Sequence, residues 1–247
     1  MNRQLQIQQH RLKIFTDDNE LIDNLRTHLF EAALAYQKAG RHYYLSLGGG
    51  TTPKKLYASI AVDKRFADLW PAFEIFFGDE RYVPHDSEDS NYRMARQSWL
   101  DQVSIPPDQI HPVPTDCDAI DDCAARYAQA LDSLPKQNAL PCFDTILLGM
   151  GDDGHTASLF PGTAALQETD KLICSVFVEK LNSYRITSTY PLLNNARELI
   201  VVVTGSAKSA MLDQIFNQSV APVPIQCIDN PRGLTWYLDT AAVSGVI

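Results

Sequence analysis

No segment of this 247-residue chain approaches the roughly 18 consecutive apolar residues that a membrane-crossing helix needs. The first ten residues, Met1 to His10, lack the apolar stretch of a signal peptide, so a cytoplasmic protein is expected. Cysteine is sparse: Cys117, Cys123, Cys142, Cys174 and Cys227 are odd in number and include no Cys-x-x-Cys, which argues against a disulfide framework and a structural zinc site. Reduced, mostly buried thiols are expected. Positive charge is in deficit, and the net charge of −9 disfavours nonspecific binding to nucleic acid or anionic membranes. An anionic ligand would have to be met by a local gathering of basic groups. Internal repeats, low-complexity tracts and long linkers are absent. With 45% hydrophobic residues the chain can bury a large core, and one domain over residues 1–247 is expected.

What is present alternates between two periods. Leu12 to Phe15, Tyr43 to Leu47, Glu74 to Phe77, Phe143 to Leu148, Cys174 to Val178 and Leu199 to Val203 read as strands. Leu21, Ile22, Leu25, Leu29, Ala32, Ala33 and Tyr36 recur at three- and four-residue spacing as one face of a helix, and Ile120, Cys123, Tyr127 and Leu131 mark another. Further helices are expected near Pro53 to Val62, Asn91 to Leu100 and Ala207 to Phe216. Strands and helices in this alternation predict an α/β fold: a Rossmann-like, open, mostly parallel sheet with helices on both faces. The proline-rich stretch from Ile105 to Pro114 reads as a turn-rich connection within it.

The run Phe143 to Gly162 is the most informative. It begins as a buried strand and breaks into Gly149-Met150-Gly151-Asp152-Asp153-Gly154-His155, which delivers polar groups to the sheet edge where α/β proteins bind ligands. His155, with carboxylates two and three residues away, is the candidate general base. Asp153 or Asp79 would fix its tautomer. A second strand runs into Gly48-Gly49-Gly50-Thr51-Thr52-Pro53, where Gly49 and Gly50 expose backbone amides, Thr51 and Thr52 add hydroxyls, and a helix start adds partial positive charge: a candidate phosphate cradle. Asp79-Glu80-Arg81 offers an acceptor and a cation at another strand end, although alone it reads equally as a solvated, salt-bridged turn. Lys180, Arg185 and Lys208 are candidate anion donors if they converge with these loops.

Several familiar motifs are missing. No Gly-x-x-x-x-Gly-Lys-[Ser/Thr] overlies the cradle, and no Gly-x-Ser-x-Gly elbow supports a Ser-His-Asp hydrolase, leaving Ser158 without the usual nucleophile setting. Gly149 to Gly154 matches Gly-x-Gly-x-x-Gly literally, but Asp152 and Asp153 would face a pyrophosphate with negative charge, so a dinucleotide is not expected. The other histidines show no paired spacing, so no metal is expected either.

Together, Gly78 to Arg81, Ser90 to Tyr92, Gly149 to Gly162 and Arg185 to Thr187 resemble the 6-phosphogluconolactonase family, within the wider group of sugar-phosphate isomerases and deaminases that includes glucosamine-6-phosphate deaminase. The resemblance runs from about Leu45 to about Leu212. It departs after Lys180, where family members often carry prolines and this chain has Leu181, Asn182 and Ser183. The resemblance implies hydrolysis of 6-phospho-D-glucono-1,5-lactone in the oxidative pentose phosphate pathway, without cofactor or metal, by His155, Asp153 and Asp79. Gly49, Gly50, Thr51, Thr52, Arg81, Lys180, Arg185 and Lys208 would bind the sugar phosphate. Expected partners are the small substrate alone, in a monomer or small homo-oligomer. A glucosamine-6-phosphate deaminase-type isomerase and a noncatalytic sugar-phosphate sensor are the alternatives.

Overall fold

Continuous apolar runs become the middle of a sheet. The computed structural model describes residues 3–7, 10–217 and 221–246. Within them, in chain order, lie β1 (Arg3–Ile7), β2 (His10–Phe15), α1 (Asp18–Lys38), β3 (Tyr43–Leu47), α2 (Thr51–Ala61), β4 (Phe73–Phe77), β5 (Asp79–Arg81), α3 (Asn91–Ser98) and α4 (Ile120–Ala130). There follow β6 (Lys136–Gln137), β7 (Leu140–Pro141), β8 (Thr145–Leu148), β9 (Ile173–Val178), β10 (Ser183–Ser188), α5 (Tyr190–Asn194), β11 (Leu199–Val203), α6 (Ser209–Asn217) and β12 (Leu234–Asp239).

Seven strands form one sheet in the order β1-β2-β12-β11-β8-β3-β4. Every neighbouring pair is parallel except β1 with β2 at the edge. All residues of β8, β11 and β12 are buried, as expected of parallel strands covered by helices on both faces. The long helix α1 lays Leu21, Ile22, Leu25, Leu29 and Ala33 onto this core. Its start is fixed by Asp17, whose side chain accepts the Glu20 amide at 2.9 Å. Among the described residues no helix is long and apolar enough to cross a membrane.

Two features depart from the sequence-based expectation. Cys174 to Val178 is not a strand of the parallel sheet: β9 joins β10 and β5 in a separate antiparallel sheet, ordered β5-β10-β9. Gly78 is the seam between the two sheets. Its amide donates to the Leu47 carbonyl of β3, and its carbonyl accepts the Ser188 amide of β10, each at 2.9 Å. The second departure concerns the thiols. Cys117 and Cys123 are joined in a disulfide, because the first turn of α4 returns the chain until their Cα atoms are 5.6 Å apart. Cys142 and Cys174 are free and buried, whereas Cys227 is exposed.

Candidate active site

Four strand ends open into one cavity of about 430 Å³: Gly48 to Gly50 after β3, Gly78 after β4, Gly149 to Gly151 after β8, and Thr204 after β11. From β3 the chain proceeds to β4 on one side, while β8, β11 and β12 extend the sheet on the other. The cavity therefore lies at the switch point, outside the carboxyl ends of the strands, where open α/β sheets form their ligand sites.

The cradle after β3 depends on glycine twice. A Cβ on Gly49 would stand 2.2 Å from Oδ1 of Asn91, so no side chain fits there. Gly50 takes a φ of 108° and precedes α2 without supplying a side-chain cap, so the first turn of the helix, with its unpaired amides and partial positive charge, borders the cavity. Thr52 Oγ1 lies 2.9 Å from Thr204 Oγ1 and links the loop after β3 to the loop after β11.

Asp79, Glu80 and Arg81 play three different parts, because successive residues of β5 alternate direction. Glu80 is buried and accepts from the amides of Arg81, Asn91 and Tyr92 and from the Ser90 hydroxyl, at 2.7 to 3.0 Å. It ties β5 to the start of α3, and burial raises its pKa against those four hydrogen bonds. Asp79 borders the cavity, accepting the Ser158 hydroxyl at 2.6 Å and, more loosely, the Asn91 amide at 3.4 Å. Arg81 lies on the cavity side directly across the ladder from Arg185. Arg185 has a buried Nε without a partner, and burial first, then the like charge of Arg81, pushes its pKa down.

His155 sits in a tight loop held by two backbone bonds, Gly151 N to His155 O at 2.9 Å and Gly154 N to Gly151 O at 3.1 Å. Its Nδ1 is 2.6 Å from Asp153 Oδ1, and the same oxygen accepts the His155 amide at 3.2 Å. Phe160 stacks on the imidazole with ring centroids 3.8 Å apart. With Nδ1 engaged, Nε2 is the ring nitrogen left to face a ligand in the cavity. Asp153 Oδ2 accepts from the Lys180 ammonium. Burial raises the Asp153 pKa, but the hydrogen bonds from Lys180 and His155 outweigh it and hold the carboxyl well below its usual range.

The structure thus brings His155, Asp79, Gly49, Gly50, Thr51, Thr52, Arg81, Arg185 and Lys208 to one cavity wall. Asp153 and Lys180 stand behind His155. Lys208 also pairs with Asp152. Lys180 is placed by the turn Glu179–Leu181, which closes on Asn182 in the left-handed region, φ 45°. Asparagine tolerates that conformation and proline cannot adopt it, so this backbone excludes proline at position 182. Ser158, its hydroxyl given to Asp79, has no hydrogen bond to His155. Asn91 and Phe160 also line the cavity and were not singled out as site residues from sequence; Ser90-Asn91-Tyr92 was the available signal. No helix begins at Gly149 to Gly154, as a dinucleotide fingerprint would require. Among the described residues, one group has donors close enough to share a metal, Asp116 with Cys117 and Cys123, and its two sulfurs are bonded to each other.

Residues 16–237 match the family model described as glucosamine-6-phosphate isomerases/6-phosphogluconolactonase. The chain is similar to a 6-phosphogluconolactonase of Nostoc sp., 44% identical over 212 residues that cover 84% of this chain and 86% of the relative. A 6-phosphogluconolactonase of Synechocystis sp. is 45% identical over 202 residues, 80% of this chain and 82% of that one. The solved structure of 6-phosphogluconolactonase from Trypanosoma cruzi superposes with a TM-score of 0.84 at 28% identity, covering 95% of this chain and 96% of that one.

Proposed function

Because the chain belongs to the glucosamine-6-phosphate isomerase/6-phosphogluconolactonase family, we propose that it hydrolyses 6-phospho-D-glucono-1,5-lactone to 6-phospho-D-gluconate, in the oxidative pentose phosphate pathway, with His155 as general base. One observation carries the assignment of the base: His155 Nδ1 is engaged by Asp153 at 2.6 Å, at the wall of the cavity. That contact favours the tautomer whose proton is on Nδ1 and whose lone pair is on Nε2. A lactone is an activated ester, so the protein has to position it, activate water and stabilise the oxyanion. Water attacks the lactone carbonyl as Nε2 takes its proton. The bond from the carbonyl carbon to the ring oxygen then breaks, and the imidazolium returns the proton to that oxygen. The ionised Asp153 stabilises the imidazolium between the two transfers. Arg81, Arg185, Lys208 and the turn Gly49 to Thr52 supply the positive field for the phosphate. Asp79 is oriented by Ser158 and Asn91 to accept from a sugar hydroxyl.

The test uses the purified protein and freshly generated phosphorylated lactone, with the spontaneous rate subtracted. Turnover of the lactone without ammonia release from glucosamine 6-phosphate is the expected result. Ammonia release without lactone turnover would make it a deaminase, and binding with turnover of neither would make it a sensor.

A further inference from the structure

Resting on the reading of His155 as the base, we infer that Lys180 is a positioning residue, which holds Asp153 and through it the imidazole, instead of binding the substrate's phosphate. Both oxygens of the Asp153 carboxylate are engaged. Oδ1 takes the Nδ1 and the backbone amide of His155, at 2.6 and 3.2 Å, and Oδ2 takes the Lys180 ammonium. A carboxylate gripped at both ends cannot rotate about its last torsion and release the imidazole. The same ammonium lies 5.7 Å from the centroid of the Phe160 ring, which stacks on His155 at 3.8 Å. His155, Asp153, Lys180 and Phe160 therefore close a circuit: the imidazole is fixed at its edge by the carboxylate and on its face by the ring, and one ammonium touches both supports.

The placement of Lys180 agrees with this. Leu181 and Arg185 line the cavity and Lys180 does not, although all three lie on one hairpin, at its turn and on β10. The Lys180 side chain is 57% exposed, so solvent screens its charge and the pair adds little to stability. Its leverage is geometric. Because the hairpin that carries Lys180 also carries Arg185, the group that aligns the base is covalently tied to a group that meets the phosphate.

The charged groups around His155 are Asp153 in direct contact, Lys180 on the far oxygen of that carboxylate, Asp152 with Lys208 beside the loop, and Asp79, Arg81 and Arg185 around the cavity. Removing Lys180 takes a cation away from the imidazolium. The acid limb of kcat/KM then moves to higher pH, opposite to the shift expected on removing the Asp153 charge.

The experiment compares Lys180→Met and Lys180→Arg with the unaltered protein, on the phosphorylated lactone and on unphosphorylated gluconolactone. Lys180→Met is expected to lower kcat about 10- to 100-fold on both substrates, on the scale of what a metal-bound histidine loses with its outer partner. KM for the phosphorylated lactone should change little, the acid limb should move up, and Lys180→Arg should recover most of the rate. In an Asp153→Asn background the Lys180 change should lower kcat much less than it does in the unaltered protein, because the carboxylate it holds is gone. A large rise in KM confined to the phosphorylated lactone, with kcat preserved, would overturn the inference and make Lys180 a phosphate ligand. Unchanged kinetics in Lys180→Met would overturn it as well. Failure of the underlying reading is seen separately, as full activity in His155→Ala.

Discussion

Arg81 and Arg185 are cross-strand partners, facing one another across the antiparallel ladder of β5 and β10 with both side chains on the cavity wall. Like charges directly opposite on a sheet are unfavourable, and Arg185 carries a buried Nε with no partner. An anion in the cavity would offset both costs. Arg185→Ala should raise KM for the phosphorylated lactone roughly 10- to 100-fold, the worth of one charge-assisted hydrogen bond or a little more. Lys208→Ala should act in the same direction. Kinetics on unphosphorylated gluconolactone check the point, since a substrate that never used the contact should lose little.

His155→Ala should lower kcat by at least about a hundredfold, the usual contribution of a positioned base, with the fold intact. Circular dichroism and background-corrected turnover measure the two halves of that statement. Near-normal turnover would remove His155 from the mechanism.

Asp153 is held well below the ordinary carboxylate range, so it stays ionised throughout the acid limb of the activity profile. Asp153→Asn therefore removes a full negative charge beside the imidazole at every pH of interest. The imidazolium becomes less favourable, the acid limb of kcat/KM moves to lower pH, and the rate falls because the tautomer is no longer fixed. Asp79→Asn is the comparison: with no contact to His155, it should raise KM and leave the position of the limb alone. The reverse pattern would give the orienting role to Asp79.

Gly151 makes room for the pair, since a Cβ there would stand 2.0 Å from His155 Nδ1 and 2.9 Å from Asp153 Oδ1. Gly151→Ala must displace one or both. Its kcat should approach that of His155→Ala while its melting temperature stays close to that of the unaltered protein.

Glu80 belongs to stability. Replacing it by Ala leaves three amides and a hydroxyl without their acceptor, and the loss should reach about 3 kcal/mol or more. Urea unfolding should show a lower midpoint with an unchanged slope. An unaffected midpoint would mean that water takes the place of the carboxylate at no cost.

Strands β3, β4, β8 and β11 were legible because a buried parallel strand is a short apolar run between turn residues, and α1 because its stripe, from Leu21 to Tyr36, repeats over about four turns. β12 was not recognised: Leu234-Thr235-Trp236-Tyr237-Leu238-Asp239 has neither clear alternation nor an unbroken apolar run, although all six residues are buried. β10, with Arg185 at its middle, looks like a polar loop until β5 and β9 pair with it on either side. His155 stood out because its carboxylates are sequence neighbours. The partner of Lys180 is 27 residues away, and nothing local says that the ammonium meets Asp153 and not a phosphate. The choice between Asp79 and Asp153 was closed to sequence for the same reason.

The seam at Gly78 divides labour in a way that matters for how such a protein can change. The parallel sheet is a chassis carrying the base and the helix start; the three-stranded sheet is an attachment carrying Arg81, Arg185 and, at its hairpin, Lys180. On the proposed function, substitutions in the attachment would act first on the grip of the sugar phosphate, and those in the chassis on the attacking water. The hairpin turn is the exception. An exchange that moved the turn at Lys180 would disturb the proposed base along with the grip, so a new specificity is best sought at Arg81 and in the body of β10, with Glu80 and that turn left as they are.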